Sequence, residues 1–168
     1  MLRITNIDEI SKIKIIPNPI NTRIKRECQK MKDNYDEIII EYTDNGIILI
    51  TFKKMCNTYK FNIPRHYPFI SPRLSVNDMD QNLFFNLKTT RFKTILKYVS
   101  GLDCLCCNSY VCKNNWSPSV TMEVMINQIK QYKTYKYFIF IKLILDKIKE
   151  KYLHRDINLD SWLFNIYE

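Results

Sequence analysis

The chain has 168 residues, 46% hydrophobic and 26% charged, with 2 Gly and 6 Pro, which excludes a disordered, collagen-like or linker sequence and fits one compact domain. Its formal charge of +9 would suit a nucleic acid or an acidic partner, but 25 Ile, 19 Lys and 16 Asn with no Ala form the skew of an AT-rich genome, and lysine inflation is the more frequent source of such a charge. No stretch reads as a secretory leader, and six Cys are therefore expected as free thiols in a reducing compartment, cytoplasmic or nuclear.

In chain order, Ile4, Ile7, Ile10 and Ile13 recur at helical spacing until Pro17 and Pro19 intervene, an N-terminal extension over residues 1–18. From Pro19 onward Ile20, Ile24, Cys28 and Met31 share one side, with Arg23, Lys25, Arg26 and Lys30 mostly elsewhere, and this predicts an amphipathic basic helix. Two β-branched runs, EIIIEYTD and IILITFKK, meet at Asn45 and Gly46, the dipeptide of a tight hairpin, and TYKFNI follows as a third strand. Pro64, Pro68 and Pro72 bar a central strand, so extended structure resumes only at LSV as a fourth.

The second half of residues 83–99 predicts a helical insert, after which Gly101 opens a cysteine-rich loop. Beyond Trp116, Ser119 or Thr121 can cap a helix whose Met122, Met125, Ile126 and Ile129 form an apolar stripe ending near Tyr132, and a last long helix is expected over Tyr135 to Leu153. Its most apolar run, Tyr137 to Leu145, contains Lys142 and falls well short of the ~20 residues of a bilayer span, so it is expected to be buried in protein, with no membrane partner. Segregation of strands from helices makes the class α+β: an N-terminal helix, a four-stranded antiparallel meander and C-terminal helices. One domain is expected over 19–153, with an insertion at 83–100 and a tail at 154–168 that docks through Trp162 and Phe164.

Tyr67, Pro68, Phe69 and Pro72 on one side of the cysteine loop, and Trp116, Ser117 and Pro118 on the other, follow the meander in an order that resembles the ubiquitin-conjugating enzyme family. The resemblance runs from the basic helix to about Tyr132, and implies the family's fold and its chemistry. A cysteine accepts the C-terminus of ubiquitin or a ubiquitin-like protein from an activating enzyme as a thioester and passes it to a substrate lysine. Gly101, Leu102, Asp103, Cys104 and Leu105 reproduce the family's pattern around that cysteine. Cys104 stands twelve positions before Trp116 and Cys107 nine, and the family's shorter spacing alone favours Cys107; on the sequence pattern around it Cys104 ranks first, with Cys107 second. The family's His-Pro-Asn tripeptide is not found; Asp80, Gln81 and Asn82 stand nearest to it, which puts Asn82 in the role of oxyanion donor. By the same resemblance Arg23, Lys25, Arg26, Ile63, Phe69 and Pro118 would meet the activating enzyme and a ligase, the protein would be a monomer without a cofactor of its own, and ATP would be used only by the activating enzyme.

Thioester transfer needs an accessible thiolate without a strong base beside it to promote hydrolysis, and residues 100–118 contain no His, one Asp at 103 and one Lys at 113, with amides at Asn108, Asn114 and Asn115. His66, in the Pro-rich turn, reads as a packing or surface residue rather than a partner of the thiol. Two other readings stand beside this one. Cys104, Cys106, Cys107 and Cys112 offer four thiolates for a zinc ion, with Cys104 and Cys107 at the spacing of a metal turn, and the domain would then be an inactive conjugating-type binding module whose cysteines are structural or zinc-binding. A basic nucleic-acid binder would use the aromatic and lysine mixture at Tyr132–Lys142, but its period fits a core-facing helix with lysines outside, the more frequent arrangement, and only nucleic-acid binding requires a steep loss of affinity with salt.

Overall fold

Between residues 37 and 76 four runs rich in β-branched and aromatic side chains pair into one antiparallel sheet, in which neighbours in sequence are neighbours in space. The computed structural model describes residues 2–5, 18–43, 47–80, 89–110, 112 and 114–152. Along the described chain come strand β1 (Leu2–Ile4), helix α1 (Asn18–Met31), a single 3-10 turn, strands β2 (Glu37–Tyr42), β3 (Ile48–Lys54), β4 (Asn57–Ile63), β5 (Arg73–Val76) and β6 (Met79–Asp80), then helices α2 (Thr90–Ser100) and α3 (Met122–Tyr152). The α+β class and the antiparallel meander agree with the sequence reading. The hairpin dipeptide Asn45-Gly46, residues 6–17 of the N-terminal extension and the tail from 153 lie outside the described residues.

Register explains the core. Ile40, Ile50, Phe61 and Leu74 stand opposite one another on β2 to β5, and none is more than 1% exposed. Two residues along, Ile38, Phe52, Tyr59 and Val76 form a second buried row on the same face. Each such side chain contributes about 1.5–3 kcal/mol by leaving water. The β5–β6 turn uses Asn77 and Asp78, both at positive φ, the conformation that a two-residue hairpin turn demands and that these residue types tolerate. Asn77 Oδ1 also accepts the Thr58 N–H at 2.7 Å, fastening the turn to the start of β4.

The chain divides into two compact units, Met1–Leu87 with Cys104–Lys130, and Lys88–Asp103 with Gln131–Glu168. In the second, Thr89 Oγ1 accepts the Phe92 N–H at 3.2 Å to cap α2, and Gly101 ends it in the left-handed conformation at φ 71°, returning its N–H to Lys97 O. Arg91 of α2 pairs with Asp146 at 3.4 Å and Glu150 at 3.3 Å on α3.

Four sequence expectations are corrected. Leu2–Ile4 is a strand paired with β2, and it includes Ile4, the first residue of the run read at helical spacing, because its pairing is set by a distant partner that local spacing does not reveal. Met79–Asp80 adds a sixth strand, so the four-stranded meander is a six-stranded sheet. Helix α3 is continuous for 31 residues, with no interruption between Tyr132 and Tyr135, since it holds neither Gly nor Pro. The run Tyr137–Leu145 is not buried: Tyr137 is 53% and Phe140 60% exposed, and Ile139 alone in that run is buried. No described helix is long and apolar enough to cross a membrane.

Candidate functional site

Helix α1 turns Ile24, Cys28 and Met31 inward, and the same face carries an acid, Glu27, only 4% exposed. Its Oε1 accepts the Tyr67 hydroxyl at 2.6 Å and also bonds Arg23 Nε, while Oε2 accepts the Met122 N–H at 2.8 Å. That N–H opens α3 and has no partner within its own helix, so the carboxylate satisfies it and meets the positive end of the helix dipole. Arg23 Nη2 donates to Val120 O at 3.2 Å. One buried ion pair thus joins α1, the Pro-rich turn and the start of α3. Burial opposes the Arg23 charge, but Glu27 outweighs it and raises the guanidinium pKa. Burial, then the Glu27 charge, raise the Tyr67 hydroxyl and push the Cys28 thiol up to about 12.

The Pro-rich turn and the Trp116 segment meet through the same region. Tyr67 and Pro68 are joined by a cis peptide, the Trp116 indole N–H donates to Pro68 O at 2.8 Å, and the Tyr67 and Trp116 rings lie 6.3 Å apart. The cysteine loop leads directly into this contact. Its inward residues are Leu105 and Ser109, both fully buried; Cys104 is half-buried, and Cys106 and Cys107 are exposed.

Side chains fix the loop backbone. Asn108 Nδ2 donates to Cys104 O at 2.8 Å, Ser109 Oγ to Cys106 O at 2.8 Å and Asn115 Nδ2 to Cys107 O at 2.6 Å, so the carbonyl of each clustered cysteine is held by a side chain. From α3, Gln128 accepts the Tyr110 N–H at 2.9 Å and donates to Asn108 O at 3.2 Å, clamping the loop to the helix.

The result is a convergence of sulfur. Cys104 Sγ lies 2.9 Å from Cys106 Sγ, which lies 3.7 Å from Cys107 Sγ. Burial works against ionising Cys104, but hydrogen bonds from the Cys106 thiol, the Cys107 peptide N–H, the Cys107 thiol and the Cys106 peptide N–H outweigh it and bring the Cys104 thiol down to about 7. Cys106 is pushed up to about 12, first by that bond to Cys104 and then by burial. A thiolate near neutrality, open to solvent and supported by donors, is competent for nucleophilic attack or for metal ligation.

Of the residues singled out from the sequence, Cys104, Cys106 and Cys107 come together, whereas Cys112 is not part of the convergence and uses its backbone in the turns that lead to Trp116. Asn82 lies outside the described residues. Phe69, 77% exposed, Arg26 and Pro118 stand at the surface, and Lys25 is half-buried. Of the other expected contact residues, Ile63 is 2% exposed because β4 points it into the core, and Arg23 is half-buried and paired with Glu27. Sequence reasoning missed Glu27 and Gln128. An acid on the apolar side of a basic helix was the available signal for Glu27; a lone Gln on a helix gives none. Compared with protein-family models, with curated proteins and with solved structures, the chain matches none.

Proposed function

We propose that the protein is an acyl carrier of the ubiquitin-conjugating type, with Cys104 as the nucleophile. The observation that carries this reading is the placement of a thiol lowered to about 7 on a side-chain-braced loop that runs into the Trp116–Pro68 contact, with no His between residues 100 and 118 and the one acid there, Asp103, paired with Lys97 at 2.8 Å. The Cys104 thiolate attacks the carbonyl carbon of the modifier's thioester on the activating enzyme; a new S–C bond forms and the enzyme's thiolate leaves. A substrate lysine amine then attacks the same carbon, the Cys104 thiolate departs, and the amine's proton passes to solvent. The amides of Asn108 and Asn115 are engaged by loop carbonyls, so the peptide N–H groups of Cys106 and Cys107, which face the Cys104 sulfur, are the donors best placed to stabilise the oxyanion once that sulfur is acylated. Arg26, Phe69 and Pro118 are the surface groups left for an activating enzyme or ligase.

A reaction with ubiquitin, activating enzyme and ATP, resolved on nonreducing gels, tests this. A reducible adduct lost in Cys104→Ser and kept in Cys107→Ser is the expected result. Loss only in Cys107→Ser transfers the role to Cys107, and no adduct from folded protein with any modifier leaves the inactive binding module. That second reading is favoured by the engagement of the Cys104 sulfur with a neighbouring thiol at 2.9 Å.

A further inference from the structure

Three sulfurs on four consecutive residues are an unusual density of one donor type, and the loop is built to keep them together. Among the described residues, Cys104, Cys106 and Cys107 are the group whose ligand atoms all lie within 4.8 Å of one another. The 3.7 Å between Cys106 and Cys107 matches the edge of a tetrahedron with metal–sulfur bonds of about 2.3 Å, roughly 3.8 Å, whereas Cys104 and Cys106, at 2.9 Å, must part by about 0.9 Å to reach it, a rotation of the exposed Cys106 thiol. Leu105 between them is fully buried, while Cys106 and Cys107 are exposed and Cys104 is half-buried. Asn108, Ser109 and Asn115 hold the three cysteine carbonyls and so fix the backbone that carries the thiols, as outer hydrogen bonds orient metal ligands.

We propose that Cys104, Cys106 and Cys107 form a three-thiolate site for a thiophilic divalent cation, zinc(II), with the fourth position open to solvent. Sulfur is the ligand that selects such cations over magnesium and calcium, and no carboxylate belongs to the cluster. On binding, each thiol still protonated releases its proton to solvent and three metal–sulfur bonds form without change of oxidation state. The site does not depend on the conjugating reading. Coordination and acylation use the same Cys104 sulfur, so each excludes the other while it lasts.

The test uses the full chain, reduced and stripped of metal, titrated with cobalt(II) and then zinc(II). Expected is a near-ultraviolet sulfur-to-cobalt charge-transfer band that saturates at one cobalt per chain and disappears when zinc is added. Cys104→Ser, Cys106→Ser and Cys107→Ser should each weaken binding by at least about tenfold, and Cys112→Ser should not. A readout on the wild type avoids any folding defect: zinc should slow alkylation of Cys104, Cys106 and Cys107 while exposed Cys56 reacts at its own rate. Absence of the charge-transfer band, or alkylation of the three cysteines at an unchanged rate, overturns the site. Zinc binding without any modifier adduct rejects the conjugating reading alone, and an adduct without zinc binding rejects the metal site alone.

Discussion

Cys28 and Cys104 belong to the same compact unit and carry the same functional group, yet their surroundings drive them apart. Cys28 faces the core beside the buried Glu27 carboxylate, and burial with that negative charge pushes its thiol up to about 12. Cys104 sits half-exposed among donors that bring it down to about 7. The first region uses its polar groups on one another: Glu27 takes donors from its own helix at Arg23, from the Pro-rich turn at Tyr67 and from the start of α3 at Met122, and little is left for chemistry. The second uses Asn108, Ser109 and Asn115 to fix carbonyls, which leaves three sulfurs for solvent, an acyl group or a metal. The same unit therefore separates a polar node that holds elements together from a polar cluster that stays reactive.

The largest effect should come from removing the node. Glu27→Ala leaves Arg23 without its carboxylate and takes an acceptor from Tyr67 and Met122, and breaking one side of a buried pair destabilises by about 3–5 kcal/mol. Urea denaturation should show this as a lower midpoint with an unchanged slope. Native-state alkylation of Cys104 should change little by comparison. A shift of less than about 1 kcal/mol, the range of an exposed ion pair, would mean that the node does not hold these elements together.

Titration sharpens the contrast because the two thiols act with opposite sign. The folded Cys28 pKa of about 12 lies above its ordinary value of 9.0, so the unfolded chain loses that proton first. Its contribution is fully present below pH 9.0 and is lost as pH rises toward 12, at most about 1.4 kcal/mol per unit of separation. Tyr35 and Tyr42, both pushed up to about 12 by burial, act in the same direction. Cys104 acts in the other: its contribution is present above 9.0 and is lost as pH falls through about 7. Urea melts between pH 8 and 10.5 should lose stability less steeply in Cys28→Ala than in wild type. Alkylation of metal-free protein should find Cys104 half-reactive near pH 7 and Cys28 protected until unfolding, and Cys106→Ala, which removes a donor, should move the Cys104 midpoint upward. Equal profiles for the two thiols would dissolve the comparison.

The sequence carried the parts of this arrangement that depend on local pattern. The β-branched runs, the inward positions Ile24, Cys28 and Met31, and Thr121, whose hydroxyl accepts the Val124 N–H at 3.3 Å, are all legible from spacing and residue type. The cluster of thiols is visible in CLCC itself, although not which of the four cysteines between 104 and 112 converge. What stayed hidden depends on partners far along the chain. Leu2–Ile4 becomes a strand because β2 offers it an edge, and Glu27 is tolerated in the interior because Tyr67 and Met122, 40 and 95 positions away, supply donors. The polar residues after Tyr132 read as a helix boundary, but charges on a helix face do not stop it when no Gly or Pro is present.

Gln128 offers the finest test, because it touches the reactive region without belonging to it. Its side-chain oxygen accepts the Tyr110 N–H and its nitrogen donates to Asn108 O, and Asn108 in turn holds the Cys104 carbonyl. Gln128→Ala removes two hydrogen bonds at a partly exposed site, where a net loss of about 1–2 kcal/mol is expected. If the loop is rigid because α3 clamps it, hydrogen exchange at Tyr110 should accelerate, and the Cys104 midpoint should rise as the donors facing its sulfur lose their alignment. Glu27→Gln, which disturbs the node but leaves this clamp intact, should move global stability without moving that midpoint. Should Gln128→Ala leave both the exchange and the midpoint unchanged, the bonds inside the loop made by Asn108, Ser109 and Asn115 suffice to order the sulfurs, and the contrast with the interior node rests on the loop's own residues rather than on its attachment to the helix.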